Sequence, residues 1–293
     1  MSSIKTTNVE NEKNKIEKGM LYLVATPIGN LADLSERAVK VLSEVDFIAA
    51  EDTRNSMKLL SFLGISKPMV SYFEHNKRER GQVIAERLKN GESCALITDA
   101  GTPAISDPGE DIVALCAEQS IPVTSIPGAC AGIVALTLSG LPTGRFCFEG
   151  FLSANKGERR ERLSELENEK RTMIFHEAPH KLKATLEDMK NVFGADRRIS
   201  LCRELTKKNE EVLRLTLEDA VAYYEENAPR GEYVLIVEGR SKVSEGDSFW
   251  KDMTVEGHVE FYISGGLSKM DAIKVCAKDR GVHKSIIYKE INS

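Results

Sequence analysis

Cys94-Ala95-Leu96-Ile97-Thr98-Asp99-Ala100-Gly101-Thr102-Pro103-Ala104-Ile105-Ser106-Asp107-Pro108-Gly109 reads as a short apolar strand running into a loop made almost wholly of turn formers. Small residues at Ala100, Gly101 and Thr102 let a ligand approach the backbone, while Pro103 and Pro108 fix φ and remove donors. In an open α/β sheet, ligands bind beyond the carboxyl ends of the strands, so this loop is the first candidate for a binding cradle.

On both sides of it, apolar runs alternate with helical patterns. Strands are expected at 21–25, 46–50, 69–73, 94–98 and 122–126, separated by helices at 33–42, 55–63, 80–89 and 111–118 and followed by one at 129–138, a βαβ alternation. After the Gly-Leu-Pro-Thr-Gly turn at 140–144, strands are expected at 146–150, 172–176, 198–203 and 233–238. The amphipathic stretches 156–170, 180–191 and 217–227 between them predict a helix-flanked, mixed sheet.

The expected organisation is therefore α/β: a disordered leader at 1–18, an N-terminal α/β domain at 19–141, a second at 142–239, and a linker with a small helical module at 240–293. In that module Ala277-x-x-x-Gly281-Val282, followed by Ile286 and Ile287, has the spacing of a helix-turn-helix. A helical cap without nucleic-acid contact fits the same residues. Lys269, Lys274, Lys278, Arg280, His283, Lys284 and Lys289 favour a phosphate-facing role.

With 293 residues and 41% hydrophobic content, the chain can bury substantial cores. It shows no apolar run of the roughly 20 residues that span a bilayer and no signal-peptide core, so no membrane role and a cytoplasmic location are expected. The six cysteines, at 94, 116, 130, 147, 202 and 276, are scattered through apolar segments without metal-ligand spacing, as reduced core thiols would be. The net charge of −5 excludes a broadly basic surface and confines any RNA recognition to local patches.

Several chemistries lack their signatures. The chain has no G-x-G-x-x-G, no G-x-x-x-x-G-K-[ST], no G-x-S-x-G elbow and no H-E-x-x-H, and no metal site is expected. What remains is five loops after expected strands: Thr26-Pro27-Ile28-Gly29-Asn30, Glu51-Asp52-Thr53-Arg54, the cradle at 99–109, Pro127-Gly128-Ala129-Cys130-Ala131, and His176-Glu177-Ala178-Pro179-His180. Any one of them alone is a plain strand-to-helix turn; five together point to a shared cleft.

The segment Leu23-Val24-Ala25-Thr26-Pro27-Ile28-Gly29-Asn30-Leu31-Ala32-Asp33-Leu34, taken with Ala50-Glu51-Asp52-Thr53-Arg54, the cradle and Ile126-Pro127-Gly128-Ala129, closely resembles the ribosomal RNA small subunit methyltransferase I group of the tetrapyrrole methylase superfamily. The resemblance implies two α/β domains with S-adenosylmethionine in the cleft between them, a homodimer, and 2′-O-methylation of a cytidine ribose in the decoding region of 16S rRNA in the small ribosomal subunit. It puts Ala100, Gly101, Thr102 and Ile105 at the methyl donor, with Thr102 standing where tetrapyrrole enzymes carry an acid. It likewise puts Pro27, Ile28, Cys130, Ala131, Glu177 and Leu205 at the donor, Cys130 and Ala131 falling on the Thr-Ala of the superfamily's Pro-Gly-x-Thr-Ala segment.

Transfer to a ribose hydroxyl is helped by a general base, worth about 10²–10⁴-fold. The loop-tip candidates are Asp52, Glu177 and His180, with Glu51 and Arg54 beside them; helix capping and local pairing compete with catalysis at each. Lys156, Arg159, Arg160 and Arg162 form a basic cluster for RNA, against the alternative of a solvated face paired with its own glutamates. A small-molecule methyltransferase acting on a tetrapyrrole, and a nucleic-acid-binding regulator built on the helix-turn-helix, are the competing readings.

Overall fold

The computed structural model describes residues 14–240, 250 and 252–291. The expected leader falls largely outside them, but its last residues are held: Ile16 packs on the first core and the Glu17 N–H donates to the Tyr22 hydroxyl at 2.7 Å. The expected linker is likewise outside the described residues from 241 to 249.

The first sheet holds β1 (Leu21–Val24), β2 (Phe47–Ala50), β3 (Met69–Ser71), β4 (Cys94–Ile97) and β5 (Val123–Ile126). All are parallel, in the order β3-β2-β4-β1-β5. Alternate residues point to opposite faces of a strand. Leu21, Leu23, Phe47, Ala49, Cys94 and Leu96 therefore meet α3 (Lys77–Lys89) and α4 (Gly109–Glu118) on one side. Tyr22, Val24, Ile48, Ala50, Ala95 and Ile97 meet α1 (Glu36–Glu44) and α2 (Thr53–Phe62) on the other. Burial on both faces is why these strands read as unbroken apolar runs.

The second sheet is mixed, as expected, in the order β6-β7-β10-β8-β9. Here β6 (Phe146–Phe151) and β7 (Thr172–Glu177) are parallel, while β10 (Tyr233–Val237), β8 (Arg198–Arg203) and β9 (Glu211–Thr216) pair antiparallel. Strand β9 was not among the sequence expectations. One face carries α6 (Lys156–Glu165), α7 (Pro179–Phe193) and α8 (Leu217–Glu226). The other is covered by α5 (Ala131–Leu138), which follows β5 in the chain yet packs through Ala135 and Leu136 on Ile174, Cys202 and Ile236. That crossing places the N-terminus of α5 between the two sheets.

Helix α6 ends at 165, five residues sooner than expected, where Leu166 folds back with its N–H on the Arg162 and Leu163 carbonyls. Residues 240–293 form a separate compact unit. Its helices α9 (Val255–Ser264), α10 (Lys269–Asp279) and α11 (Lys284–Ile291) close over Val259, Ile273, Cys276, Ala277 and Ile287. Gly281 turns the chain between α10 and α11 at φ 66°. Arg280, read from sequence as phosphate-facing, is instead structural: its guanidinium donates to the Met253 carbonyl at 2.7 Å and to His258 Nδ1 at 3.1 Å. Among the described residues no helix is long and apolar enough to cross a membrane.

Candidate active site

Three adjacent strands, β4, β1 and β5, end in loops that are tied to one another. Thr26 and Gly101 exchange backbone hydrogen bonds at 2.9 and 3.0 Å. The Thr98 hydroxyl donates to the Ala100 carbonyl at 3.0 Å, and the Thr102 hydroxyl to the Ala129 carbonyl at 2.8 Å. Asp107 closes the far end of the cradle, accepting from the N–H groups of Ala104, Ile105 and Gly109 at 3.0, 3.2 and 2.7 Å. These bonds hold Ala104 and Ser106 at φ 68° and 62°. That conformation costs a residue with a Cβ on the order of 1–2 kcal/mol, so the loop is shaped against local preference.

The second sheet contributes the turn after β8. A Cβ on Gly29 would stand 2.5 Å from Lys207 Cγ and 3.1 Å from the Leu205 carbonyl oxygen, so the first loop closes on the Leu205–Lys207 turn only because residue 29 has no side chain.

Between these parts lies a cavity of about 560 Å³, inside the roughly 300–1,000 Å³ of small-molecule pockets. Of the residues expected at the donor, Ile28, Ala100, Gly101, Thr102, Ile105, Cys130, Ala131, Glu177 and Leu205 line it; Pro27 does not. Of those expected in catalysis, Glu177 and His180 line it and Asp52 does not.

Two helices begin at the wall without side-chain caps. Cys130 is the N-cap of α5 and Ala178 that of α7, and neither side chain accepts from the first turn. Uncapped first turns leave N–H groups and a partial positive charge available to an anion.

Glu177 is buried and already engaged. Its carboxylate accepts from Thr185 Oγ1 at 2.5 Å and from the Ala178 N–H at 2.8 Å, with Lys181 Nζ at 3.4 Å. His180, the second residue of α7, is exposed at the same wall. Lys207 stands between the carboxylates of Glu204 and Glu232, 2.9 Å from each.

His176 also lines the cavity and was not singled out from sequence. Among the described residues its buried Nε2 has no hydrogen-bond partner, its ring lies edge-on to Phe148 and Phe151 at 5.3 Å, and burial lowers its pKa. Its position as the inward alternate of β7, just before the Glu-Ala-Pro turn, was the signal that could have found it. Cys202 in the same wall is a neutral thiol, its pKa pushed up to about 11 by burial.

The Glu51–Arg54 loop stands apart from the lining. Asp52 caps α2, accepting from the Arg54 N–H at 2.8 Å, and its carboxylate is paired with the Arg54 guanidinium at 3.4 Å. The backbone and side-chain hydrogen bonds of Arg54 hold its pKa below the ordinary value. Glu51 is shifted the other way, by burial and by Asp99 and Asp107. Among the described residues, no group of three or more His, Cys, Asp or Glu side chains is placed to hold a metal ion.

The basic cluster on α6, expected from sequence to meet RNA, is largely engaged in ion pairs within the protein. Arg159 is buried and donates to Asp188 Oδ2 at 2.9 and 2.7 Å, Arg160 donates to Asp188 Oδ1 at 2.7 Å, and Arg162 pairs with Glu149 and Glu165. Only Lys156, of the four, has no ion pair within the described residues.

The family model described as Tetrapyrrole (Corrin/Porphyrin) Methylases matches residues 20–221. Curated relatives named Ribosomal RNA small subunit methyltransferase I include one from Halalkalibacterium halodurans, 49% identical over 95% of this chain and 96% of its own length. Another, from Bacillus subtilis, is 46% identical over 94% of each chain. Among solved structures, a diphthine synthase superposes with a TM-score of 0.58 at 16% identity, covering 76% of this chain and 90% of its own. A uroporphyrin-III C-methyltransferase from Thermus thermophilus complexed with S-adenyl homocysteine superposes at 0.52 and 16% identity, over 74% and 96%. At such identities the likeness carries the fold: two α/β domains of one architecture.

Proposed function

The chain belongs to the tetrapyrrole (corrin/porphyrin) methylase family and, within it, to the ribosomal RNA small subunit methyltransferase I group, and we propose that its cavity takes S-adenosylmethionine and methylates RNA of the small ribosomal subunit. The finer reading is 2′-O-methylation of a cytidine ribose in the decoding region of 16S rRNA. The observation that carries the methyltransferase reading is the convergence of the β1, β4 and β5 loops with the uncapped start of α5 on one cavity, in a chain 49% identical to a named rRNA methyltransferase; the cytidine ribose follows from the family resemblance alone.

The residues present fit the donor. Ile28, Leu205 and Val234 offer apolar surface to a flat base, the first turn of α5 offers N–H groups to a carboxylate, and the carboxylates of Glu177, Glu204 and Glu232 outnumber the one ammonium in the lining, that of Lys207, which suits a cationic centre. When bound, the donor supplies a methyl group already activated by the positive charge on sulfur. The protein's part is then chiefly to position the acceptor and exclude water.

Of the three catalytic candidates, Asp52 is committed to its helix cap and Glu177 to Thr185 and Ala178, which leaves His180 to take the proton of the 2′-hydroxyl. Glu177 is a positioning residue in this scheme: by fixing the start of α7 it sets where His180 stands. The exposed Lys269, Lys278, Lys284 and Lys289 supply phosphate contacts outside the cavity. A homodimer and a cytoplasmic location complete the reading. Phe146 and Ile133 are large apolar side chains left 40% and 43% exposed, and all six cysteines are free thiols. Light scattering on wild type and Phe146→Asp tests the dimer.

To test the reaction, small subunits are incubated with methyl-labelled donor and their RNA is hydrolysed in alkali. A 2′-O-methyl group protects the adjoining phosphodiester, so the expected label migrates as an alkali-stable dinucleotide beginning with cytidine. Label on a mononucleotide base refutes the ribose assignment; label accepted by a tetrapyrrole and not by RNA favours the competing small-molecule reading.

A further inference from the structure

Strand β6 carries a feature that neither the core nor the donor seat explains. Its register with β7 runs Phe146↔Thr172, Cys147↔Met173, Phe148↔Ile174 and then jumps, Gly150↔Phe175 and Phe151↔His176, so Glu149 is an extra residue in the ladder. Gly150 adopts φ 64° at this bulge, a conformation that favours glycine. In a regular strand Phe151 shares a face with Cys147, which packs into the helix-covered core. The bulge reverses that alternation. Phe151 emerges on the face of Phe148, both rings edge-on to His176 at 5.3 Å, and it lines the cavity while 58% exposed.

An aromatic ring this exposed forgoes about half of its burial, and the bulge that turns it outward also forgoes a regular ladder. Beside it, the His176 ring is part-buried and its Nε2 has no hydrogen-bond partner among the described residues, which leaves that nitrogen's hydrogen bond to be made by whatever occupies the cavity. A flat exposed ring with an unsatisfied ring nitrogen next to it, on the wall of a cavity, has the chemistry of a nucleobase site: stacking holds the base, and a hydrogen bond orients its edge. The Lys181 ammonium, 3.4 Å from Glu177, lies 5.7 Å from the Phe151 ring and adds a positive charge beside it.

We propose that Phe151 and His176 form the seat of the acceptor nucleotide, in which the target base, extruded from its RNA strand, stacks on Phe151 and hydrogen-bonds to His176. This rests on the reading of the cavity as an RNA methyltransferase site. The base is thereby held on the α7 side of the cavity, at the wall that also carries His180, and the cradle side is left to the donor.

The test uses full-length Phe151→Ala, Phe151→Leu, Phe151→Trp and His176→Phe, with donor affinity measured by calorimetry and KM measured for small subunits. Phe151→Ala is expected to raise KM for the subunit about 5- to 100-fold, the worth of one base–aromatic stack, with donor affinity within twofold of wild type. Phe151→Leu keeps apolar area without a π face and is expected to behave like Phe151→Ala, while Phe151→Trp restores KM. His176→Phe keeps the ring packing and removes the nitrogen, and is expected to raise KM about tenfold. Unchanged KM in Phe151→Ala, or a loss of donor affinity in its place, overturns the seat while leaving the methyltransferase reading intact. A wild-type protein that labels no RNA overturns both.

Discussion

Replacing Asp188 by Asn should destabilise the protein strongly without weakening its hold on RNA. The carboxylate joins α7 to α6 by three hydrogen bonds from two guanidinium groups, and the side chains of Asp188 and Arg159 are 4% and 7% exposed. Arg160 is half exposed and can turn to water, so the cost falls on Arg159, left buried and uncompensated. Breaking such a pair costs about 3–5 kcal/mol, and a unit charge pair at ~4 Å with an effective dielectric constant near 20 gives about 4 kcal/mol by itself. For a domain of this size that is roughly 6–20 °C in melting temperature. Burial alone pushes the Asp188 pKa up, but the Arg160 and Arg159 hydrogen bonds outweigh it and hold the group below the ordinary value. The stabilisation is therefore complete above the unfolded pKa of about 3.9 and is lost as pH falls through the lower folded value, so wild type and Asp188→Asn should converge in acid. Urea unfolding at pH 7 and across acid pH measures this, with KM for small subunits read in parallel. A loss below about 1 kcal/mol, or a raised KM at unchanged stability, would show that these arginines serve RNA and refute the reasoning. The double change Arg159→Met with Asp188→Leu should recover most of the loss.

Cys130→Ser gives α5 the cap it lacks and should add up to about 1 kcal/mol in chemical denaturation; no gain would mean the first turn is already satisfied. Gly29→Ala drives a Cβ into Lys207 Cγ and the Leu205 carbonyl, and is expected to weaken donor binding by calorimetry, at least tenfold, more than it lowers stability. Glu51 has a raised pKa from burial, Asp99 and Asp107, so its ionisation opposes folding once pH exceeds the unfolded value; Glu51→Gln should raise the melting temperature at pH 7, with the advantage vanishing below about pH 4. His180→Ala should lower kcat about 10²–10⁴-fold with donor affinity unchanged, and a loss under threefold removes His180 as the base.

The strand-end loops at 26–30, 99–109 and 127–131 were legible because glycine, proline and small residues are punctuation whose meaning is local. The Glu51–Arg54 loop, which carries charges and no glycine or proline, also follows a strand but stays out of the cavity for a reason only topology supplies: β4 lies between β2 and β1, so the loop after β2 opens one strand further away. The arginines of α6 misled for a related reason, since their partner Asp188 lies 29 residues from Arg159 and is brought close only by helix packing. Strand β9 escaped notice because Glu211-Val212-Leu213-Arg214-Leu215-Thr216 is an edge strand with no fully buried residue and a charge at its centre. The aromatic wall depends on a single inserted residue in β6, which reverses the period-2 reading from that point on.

The account stands most directly on one measurement: methyl transfer from labelled donor to small ribosomal subunits by the purified full-length protein, with the product mapped by mass spectrometry of nuclease fragments. One methyl group per subunit on a cytidine ribose in the decoding region, lost in His180→Ala while donor binding persists, is the predicted result. Label on a base, or on no RNA at all, contradicts it.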